Sequence, residues 1–487
     1  MSALGCLCLD FGASGGRAIL GRFDGERLAL DEVRRFPNDP VFVGDTLYWD
    51  VLRLFYEVQQ SLLQAGRFDS VGVDTWGVDF GLLDRGGRLL ENPVHYRDAR
   101  TAGMLEQAFL RLPREPFYRE TGNQFMEINT AFQLLALREQ RPELLEAADT
   151  LLLMPDLINF FLTGEKQAET SIASTTQLLD ARTHTWSDRV LDALELPRRL
   201  FPPIVPTATP VGPLRVSIRE RLGVIGAQVV AVAGHDTQCA MACVPAQTED
   251  FLFLSCGTWS LLGTELSEPC VSPEAYRCNL TNECGYGGKT SFLKNIIGLW
   301  LLQETRRRWQ QEGEALSYAD MEALARGAKP YVCFVDPDDP RFVPAGDIPG
   351  RVRAYCAETN QPVPESKGQL LRCLYDSLAM KYRYAARQVE RCTHKRYDAL
   401  HIVGGGARDA LLCALTADAC QKTVYAGPAE ATACGNVLLQ LLACGQLRDL
   451  ADARALVRAS VRPAVFTPQA TAQVDAAYER FLEVTGL

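Results

Sequence analysis

Histidine is scarce: five occur in 487 residues, with no HExxH or HxH spacing, and no two cysteines are spaced CxxC. The local signatures of a zinc site are therefore missing, and none is expected. Basic residues are outnumbered, 50 Lys and Arg against 60 Asp and Glu, for a formal net charge of −10. That excludes the basic face with which a protein ordinarily holds nucleic acid. It leaves room for an anionic nucleotide gripped by backbone N–H groups and a divalent cation. No apolar run reaches membrane-spanning length, since LLLMPDLINFFLTG is broken by Pro155 and Asp156. The opening MSALGCLCLDFGASGG has no basic region and reaches Asp10 early, so it reads as a first strand rather than a signal peptide. The expectation is a cytoplasmic protein with neither membrane nor nucleic-acid partners.

What is present is ordinary globular composition, 47% hydrophobic and 23% charged. The chain is too long for one core, so two domains are expected, perhaps with a third. Sixteen cysteines are scattered through it, a pattern of buried thiols rather than of a disulfide framework. Whether Cys356 and Cys373 pair is left open.

Period-two alternation marks LGCLCLDFG, GGRAILGRF and RLALDEVRRF as three strands, and Asp50 as the cap of a helix over VLRLFYEVQQSLLQAG. SVGVDTWGVDFGLLD reads as a strand, a Trp-Gly break and a second strand. The second half opens the same way. DFLFLSCGTWSLLGTEL is strand, turn, strand, and DALHIVGGGARDALLCALTADAC is strand, glycine cluster, helix. A glycine- and hydroxyl-bearing hairpin thus occurs near residue 12 and again near 257, an internal echo of two related α/β halves. The junction is expected at residues 240–250, dividing the chain into 1–243 and 244–487.

LDFGASGGR can present converging N–H groups of Ala13, Ser14, Gly15 and Gly16 to an anion, or be a plain glycine-rich hairpin turn. Its GxSxG spelling suits a hydrolase elbow only if a helix follows, and GRAILGRF alternates like a strand. ECGYGGKTS imitates a P-loop but carries Glu283 where the first glycine belongs, so a turn is the better account. Gly404, Gly405 and Gly406 lack the spacing of a dinucleotide fingerprint, which disfavours NAD. AGHDT sets His235, Asp236 and Thr237 at the end of an apolar strand. Asp236 is there a reactive carboxylate or an N-cap, and Asn295 is a polar contact or the cap of a helix over IIGLWLLQETRRRW. Trp76 is a stacking wall or a core side chain. Arg306, Arg307 and Arg308 read as a solvated helix face.

Taken in order, LDFGASGGR, GVDTWGVDFGLLD, PVHYRDART, LLMPDLINFFLTG, AGHDT, LSCGTWSLLG, LKNIIGLWLLQ, HIVGGG and AGPAEATACGN resemble the FGGY carbohydrate kinases over nearly the full length. The resemblance implies an α/β chain of two RNase-H-like, actin-like ATPase domains with a central cleft that closes on binding. It implies transfer of the γ-phosphoryl group of ATP to the 1-hydroxyl of L-rhamnulose, with Mg²⁺. Alternatives are another ketose, such as L-fuculose or a pentulose, or a non-catalytic ATP-binding regulator on the same fold. By position, Asp236 falls on the catalytic base. Ala13, Ser14, Gly15, Gly16, Arg17, Thr258, Gln303 and Gly405 fall on nucleotide-contacting positions. Gly77, His235, Asp236, Thr237 and Asn295 fall on sugar-contacting positions, and Asp10 on the magnesium-associated one. Gly15 departs from the family, which often has Ser or Thr there; the backbone donors remain. A monomer or small homo-oligomer is expected.

Overall fold

The structure is a computed structural model and describes residues 4–13, 15–224, 226–469 and 472–487. The chain forms two compact units. One comprises Met1–Pro245, Leu266–Phe292 and Ala431–Ser460; the other Ala246–Glu265, Leu293–Glu430 and Val461–Leu487.

In the first unit the three opening segments are strands, Leu4–Gly12, Gly15–Phe23 and Leu28–Pro37, joined as an antiparallel meander. Leu4–Gly12 is buried along nearly its whole length, as a central strand covered on both faces must be. Ser70–Thr75 adds to it in parallel, and Gln228–Ala231 adds to Ser70–Thr75 in parallel. Thr209–Pro213 closes the far edge of this six-stranded sheet. Parallel neighbours need crossovers. The helix Val51–Ala65 supplies the first: Asp50 caps it by accepting a hydrogen bond from the Arg53 amide at 3.1 Å, and Leu54, Val58 and Leu62 form its buried stripe. Burying each such side chain is worth about 1.5–3 kcal/mol.

The helix Ala431–Ala443, though late in the chain, packs into this first unit. Its Gln440 Nε2 donates to the Leu7 carbonyl at 3.1 Å, and Ser70 Oγ donates to Gln440 Oε1 at 2.7 Å. A Cβ on Gly435 would stand 1.7 Å from the Cys239 carbonyl oxygen, so the helices Ala431–Ala443 and Asp236–Ala242 touch backbone to backbone.

The second unit repeats the plan. Leu252–Cys256 and Trp259–Leu266 form an antiparallel hairpin, Ala399–Val403 pairs in parallel with Leu252–Cys256, and Thr423–Ala426 pairs in parallel with Ala399–Val403. Thr290–Ile297 flanks the hairpin on one side, and Ala464–Phe466 closes the other edge antiparallel. In both sheets the first strand is central, with its hairpin partner on one side and a parallel strand on the other. That is the structural content of the echo seen in the sequence. The glycine cluster leads into a short 3₁₀ turn, Gly405–Arg408, and the helix Ala410–Cys420, which Asp409 caps through the Leu412 amide at 2.9 Å.

Two local expectations change. Asn295 lies inside the strand Thr290–Ile297 and caps no helix; the helix begins at Trp300. The alternating TSFLKNII segment suits a pleated strand, and Gly298 then passes so close to Ser260 that a Cβ would lie 2.3 Å from its Oγ. Asp236 is the first residue of its helix rather than the N-cap, a place taken by His235. Among the described residues, no helix is long and apolar enough to cross a membrane.

Candidate functional site

Three carboxylates leave the same end of the first unit's sheet. Asp10 stands opposite Asp74 in the parallel register, and Thr75 forms a parallel bridge with His235, next to Asp236. Carboxyl ends of parallel strands are where open α/β sheets usually bind ligands. Arg17 neutralises one of the three, its Nη2 donating to Asp10 Oδ2 at 2.5 Å. Asp74 is fully buried, and Asn436 Nδ2 donates to its Oδ2 at 2.6 Å. Its Oδ1 is buried with no hydrogen-bond partner among the described residues. Burial first, then the Asp10 charge, pushes the Asp74 carboxyl well above the usual range.

Asp236 is enclosed, yet 31% of its side chain remains open. Burial pushes its pKa up to about 6, with His235 pulling it down and Asp10 adding to the rise. His235 stands between two acids: Nδ1 lies 2.9 Å from Glu283 Oε2, and Nε2 lies 3.5 Å from Asp236 Oδ1. Burial alone would lower the imidazole pKa, but the Glu283 charge and hydrogen bond, with Asp236, carry it up to about 9. At neutral pH the ring is an imidazolium, donating Nδ1–H to Glu283 and holding positive charge beside Asp236. Gln238 Nε2 donates to the same Glu283 oxygen at 2.9 Å.

The turn carrying these residues is pinned from below. Glu169 accepts from the Gly234 amide at 2.8 Å, the Ser171 amide at 2.9 Å and Ser171 Oγ at 2.6 Å, and from Thr207 Oγ1. Ser171 Oγ in turn accepts from the His235 amide at 3.2 Å. Such a fully bonded buried carboxylate rigidifies its surroundings. Thr237 follows, its hydroxyl 3.3 Å from Asp236 Oδ1.

Gly77 sits where a Cβ would press on Thr175 at 3.2 Å. The next residue, Val78, holds φ at 69°, an outlier for a β-branched side chain. Its amide donates to Thr175 Oγ1 at 3.1 Å and its carbonyl accepts from Thr130 Oγ1 at 2.6 Å, which keeps the strained turn in place. Trp76 is buried and stacks 4.0 Å from Trp49. Both indoles donate to Asp79 Oδ2, at 2.9 and 2.6 Å, and Gln133 Nε2 donates to Oδ1 at 3.0 Å. Trp76 is therefore a core side chain, and Asp79 is spent on organising this cluster.

At the first hairpin tip, Gly15, Gly16 and Arg17 begin the second strand, and Ala13 lies in the turn before it. Ser14 lies outside the described residues. In the second unit Thr258 occupies the matching hairpin turn, its Oγ1 donating to Gln303 Oε1 at 3.2 Å on the helix Trp300–Gln311. Thr258 and Gln303, 45 residues apart in sequence, are thus neighbours. The three glycines divide their roles. Gly404 has φ at 84°, and a Cβ on Gly406 would meet Cys256 Sγ at 2.2 Å, whereas one on Gly405 would meet nothing within 4 Å. Asn295 is half-buried on its strand in the same unit.

The acidic end of the first sheet fits a hydrated divalent cation. Asp10, Asp74 and Asp236 gather more negative charge than Arg17 balances, and Asp74 leaves an oxygen unbonded. Their ligand atoms do not all approach within 4.8 Å of one another, which matches an ion that keeps its waters rather than one stripped into a protein cage.

Sequence reasoning missed Glu283, Glu169 and Asn436. Glu283 sits in an alternating strand, Thr281–Cys284, at a buried position, and a carboxylate there was the available signal.

Comparison with known proteins places the chain alongside one family. Models described as the FGGY family of carbohydrate kinases match its residues 6–243 with the N-terminal domain and 252–444 with the C-terminal domain. It is 41% identical over 477 residues to a rhamnulokinase of Bacteroides thetaiotaomicron, covering 97% of this chain and 98% of that one. It is 39% identical over 458 residues to a rhamnulokinase of Oceanobacillus iheyensis, covering 93% and 96%. A xylulose kinase structure from Lactobacillus acidophilus matches with a TM-score of 0.80 at 16% identity, covering 99% of this chain and 96% of that one. A Plasmodium falciparum glycerol kinase structure with ADP matches at 0.79 and 14% identity, covering 100% and 99%. These two structures share the fold.

Proposed function

The chain belongs to the FGGY family of carbohydrate kinases, and from that premise we infer that it transfers the γ-phosphoryl group of ATP to the 1-hydroxyl of L-rhamnulose. The observation that carries this reading is the half-open Asp236 carboxylate beside the His235 imidazolium, in a chain 41% identical over 97% of its length to a protein named a rhamnulokinase.

Phosphoryl transfer passes through a loose transition state, so the protein mainly positions the reactants and neutralises charge. Asp236 accepts the proton of the attacking hydroxyl as the oxygen–phosphorus bond forms and the bond to ADP breaks. Base assistance of this kind is worth about 10²–10⁴-fold. His235 keeps Asp236 ionised and offers a donor to a sugar hydroxyl; Gly77, Thr237 and Asn295 are the other sugar-contacting positions in this reading.

Arg17 and the amides of Ala13, Gly15 and Gly16 hold phosphate oxygens, together with Ser14. In the second unit, Thr258 offers a hydroxyl to a phosphate, Gln303 orients that hydroxyl, and Gly405 leaves its face clear for a flat or charged part of the nucleotide. Asp10, with Asp74, would hold Mg²⁺ through water. When bound, the ion supplies charge neutralisation on the phosphates.

The test is an ATP-dependent assay across ketoses with the phosphorylated carbon identified by NMR. L-rhamnulose 1-phosphate as the preferred product supports the reading; efficient turnover of another ketose with none of L-rhamnulose overturns it.

A further inference from the structure

Away from the residues above, the second unit gathers three sulfurs. Cys333, Cys356 and Cys373 are all buried, and their Sγ atoms lie within 4.8 Å of one another. Among the described residues, this is the one cluster of three or more His, Cys, Asp or Glu ligand atoms that converges so tightly. All three are free thiols. They come from three separate pieces of chain. Cys356 is on the helix Ile348–Glu358, Cys373 is on the helix Lys367–Thr393, and Cys333 is on the irregular segment before them.

That segment is firmly held. The Tyr331 amide donates to Asp376 Oδ2 at 2.7 Å, the Phe334 amide to Gln361 Oε1 at 2.8 Å, and the Val335 amide to Ser377 Oγ at 2.9 Å. Asp376 and Ser377 are on the same helix as Cys373, so two of the three sulfurs are fixed to one rigid element. Arg480 donates to the Val332 carbonyl and lies 5.2 Å over the Phe334 ring, placing a positive charge near Cys333. Hydrogen bonds from the Cys356 and Cys373 thiols favour the thiolate at Cys333.

A cavity of about 260 Å³ reaches the cluster, lined by Cys333 and Cys373 and by Lys329, Gln369 and Arg372. Three sulfurs bound at about 2.3 Å to one zinc ion sit roughly 4 Å apart. The observed spacing therefore needs only a small inward adjustment, and the cavity side leaves a fourth position for water.

We propose that Cys333, Cys356 and Cys373 form a three-sulfur site for a thiophilic divalent cation of the zinc type. As each metal–sulfur bond forms, any thiol still protonated gives its proton to solvent. Three thiolates and a dication leave one net negative charge, which Arg480 offsets. This reading is independent of the kinase reaction. It also accounts for a cluster that spacing in the sequence argues against, since its ligands are brought together only by the fold.

The experiment uses the full-length protein, stripped of metal and reduced with a phosphine. Cd²⁺ is titrated in while thiolate-to-cadmium charge-transfer absorption is followed. One tightly bound ion per chain is expected, with alkylation of Cys333, Cys356 and Cys373 blocked together in peptide mass spectrometry. Cys333→Ser and Cys356→Ser should each weaken binding by about a hundredfold, in line with losing one of a few metal–ligand bonds. A reduced wild-type protein with no saturable band overturns the proposal. So does protection that falls on other cysteines, or a band that survives in both variants. The alkylation map reads the wild-type chain alone, so it decides the matter even if a variant does not fold.

Discussion

The imidazole of His235 and the carboxylate of Glu283 meet at 2.9 Å, linking the residue beside the reactive acid to a strand that sequence reading had taken for part of a turn. Glu283→Gln removes the charge that holds His235 protonated. The His235 pKa should fall from about 9 toward its usual 6.5, read by NMR of the ring protons. Asp236 then loses its cationic neighbour, so the acid limb of turnover, set by a carboxyl at about 6, should move to higher pH. An unchanged limb would show that His235 does not tune Asp236.

The same contact predicts a pH-dependent stability. The folded pKa of His235 is raised, so its contribution is complete below about 6.5 and is lost as pH rises through about 9. In denaturant melts, Glu283→Gln should lower the midpoint most at about pH 6, and the gap from wild type should shrink toward about pH 9.

Asp236→Asn keeps the size of the side chain and removes the proton acceptor. Turnover should drop at least about a hundredfold with ATP affinity largely retained. Calorimetry of nucleotide binding beside the steady-state assay separates the two; near-normal turnover would mean another group takes the proton.

Gly405→Ala and Gly406→Ala should part company. A methyl at Gly406 runs into Cys256 Sγ, and overpacking of this kind costs about 1–3 kcal/mol in a urea melt. A methyl at Gly405 enters open space, so stability should hold while the KM for ATP rises. An unaltered KM would remove Gly405 from the nucleotide contacts.

Asn436→Ala withdraws the 2.6 Å hydrogen bond from buried Asp74. Leaving that carboxyl without its donor should cost about 1–3 kcal/mol or more in a urea melt. Loss of less than about 0.5 kcal/mol would show the contact to be dispensable.

Much of this was legible in the chain itself, because strands and amphipathic helices are written in short-range periodicity. LGCLCLDFG, VLRLFYEVQQSLLQAG and HIVGGG each carry their own element, and the repeated hairpin announces two similar sheets. Asp10, Asp236 and Thr258 stand at strand ends or tight turns, where polar residues interrupt apolar runs, so they could be singled out. Asn295 was misread because a strand ending at a glycine and a capped helix start look alike when only neighbours along the chain are considered.

Other features have no local signature. Glu283 answers His235, Asn436 answers Asp74, and Cys333 joins Cys356 and Cys373 only after distant segments pack. The amino-acid order alone determined which segments are strands and helices, and where polar groups emerge from them, since those depend on the alternation of adjacent side chains. Tertiary structure alone decided which charges and sulfurs became neighbours. Burial raises the cost of an unpaired polar group, and the partner that satisfies it can come from anywhere in the chain.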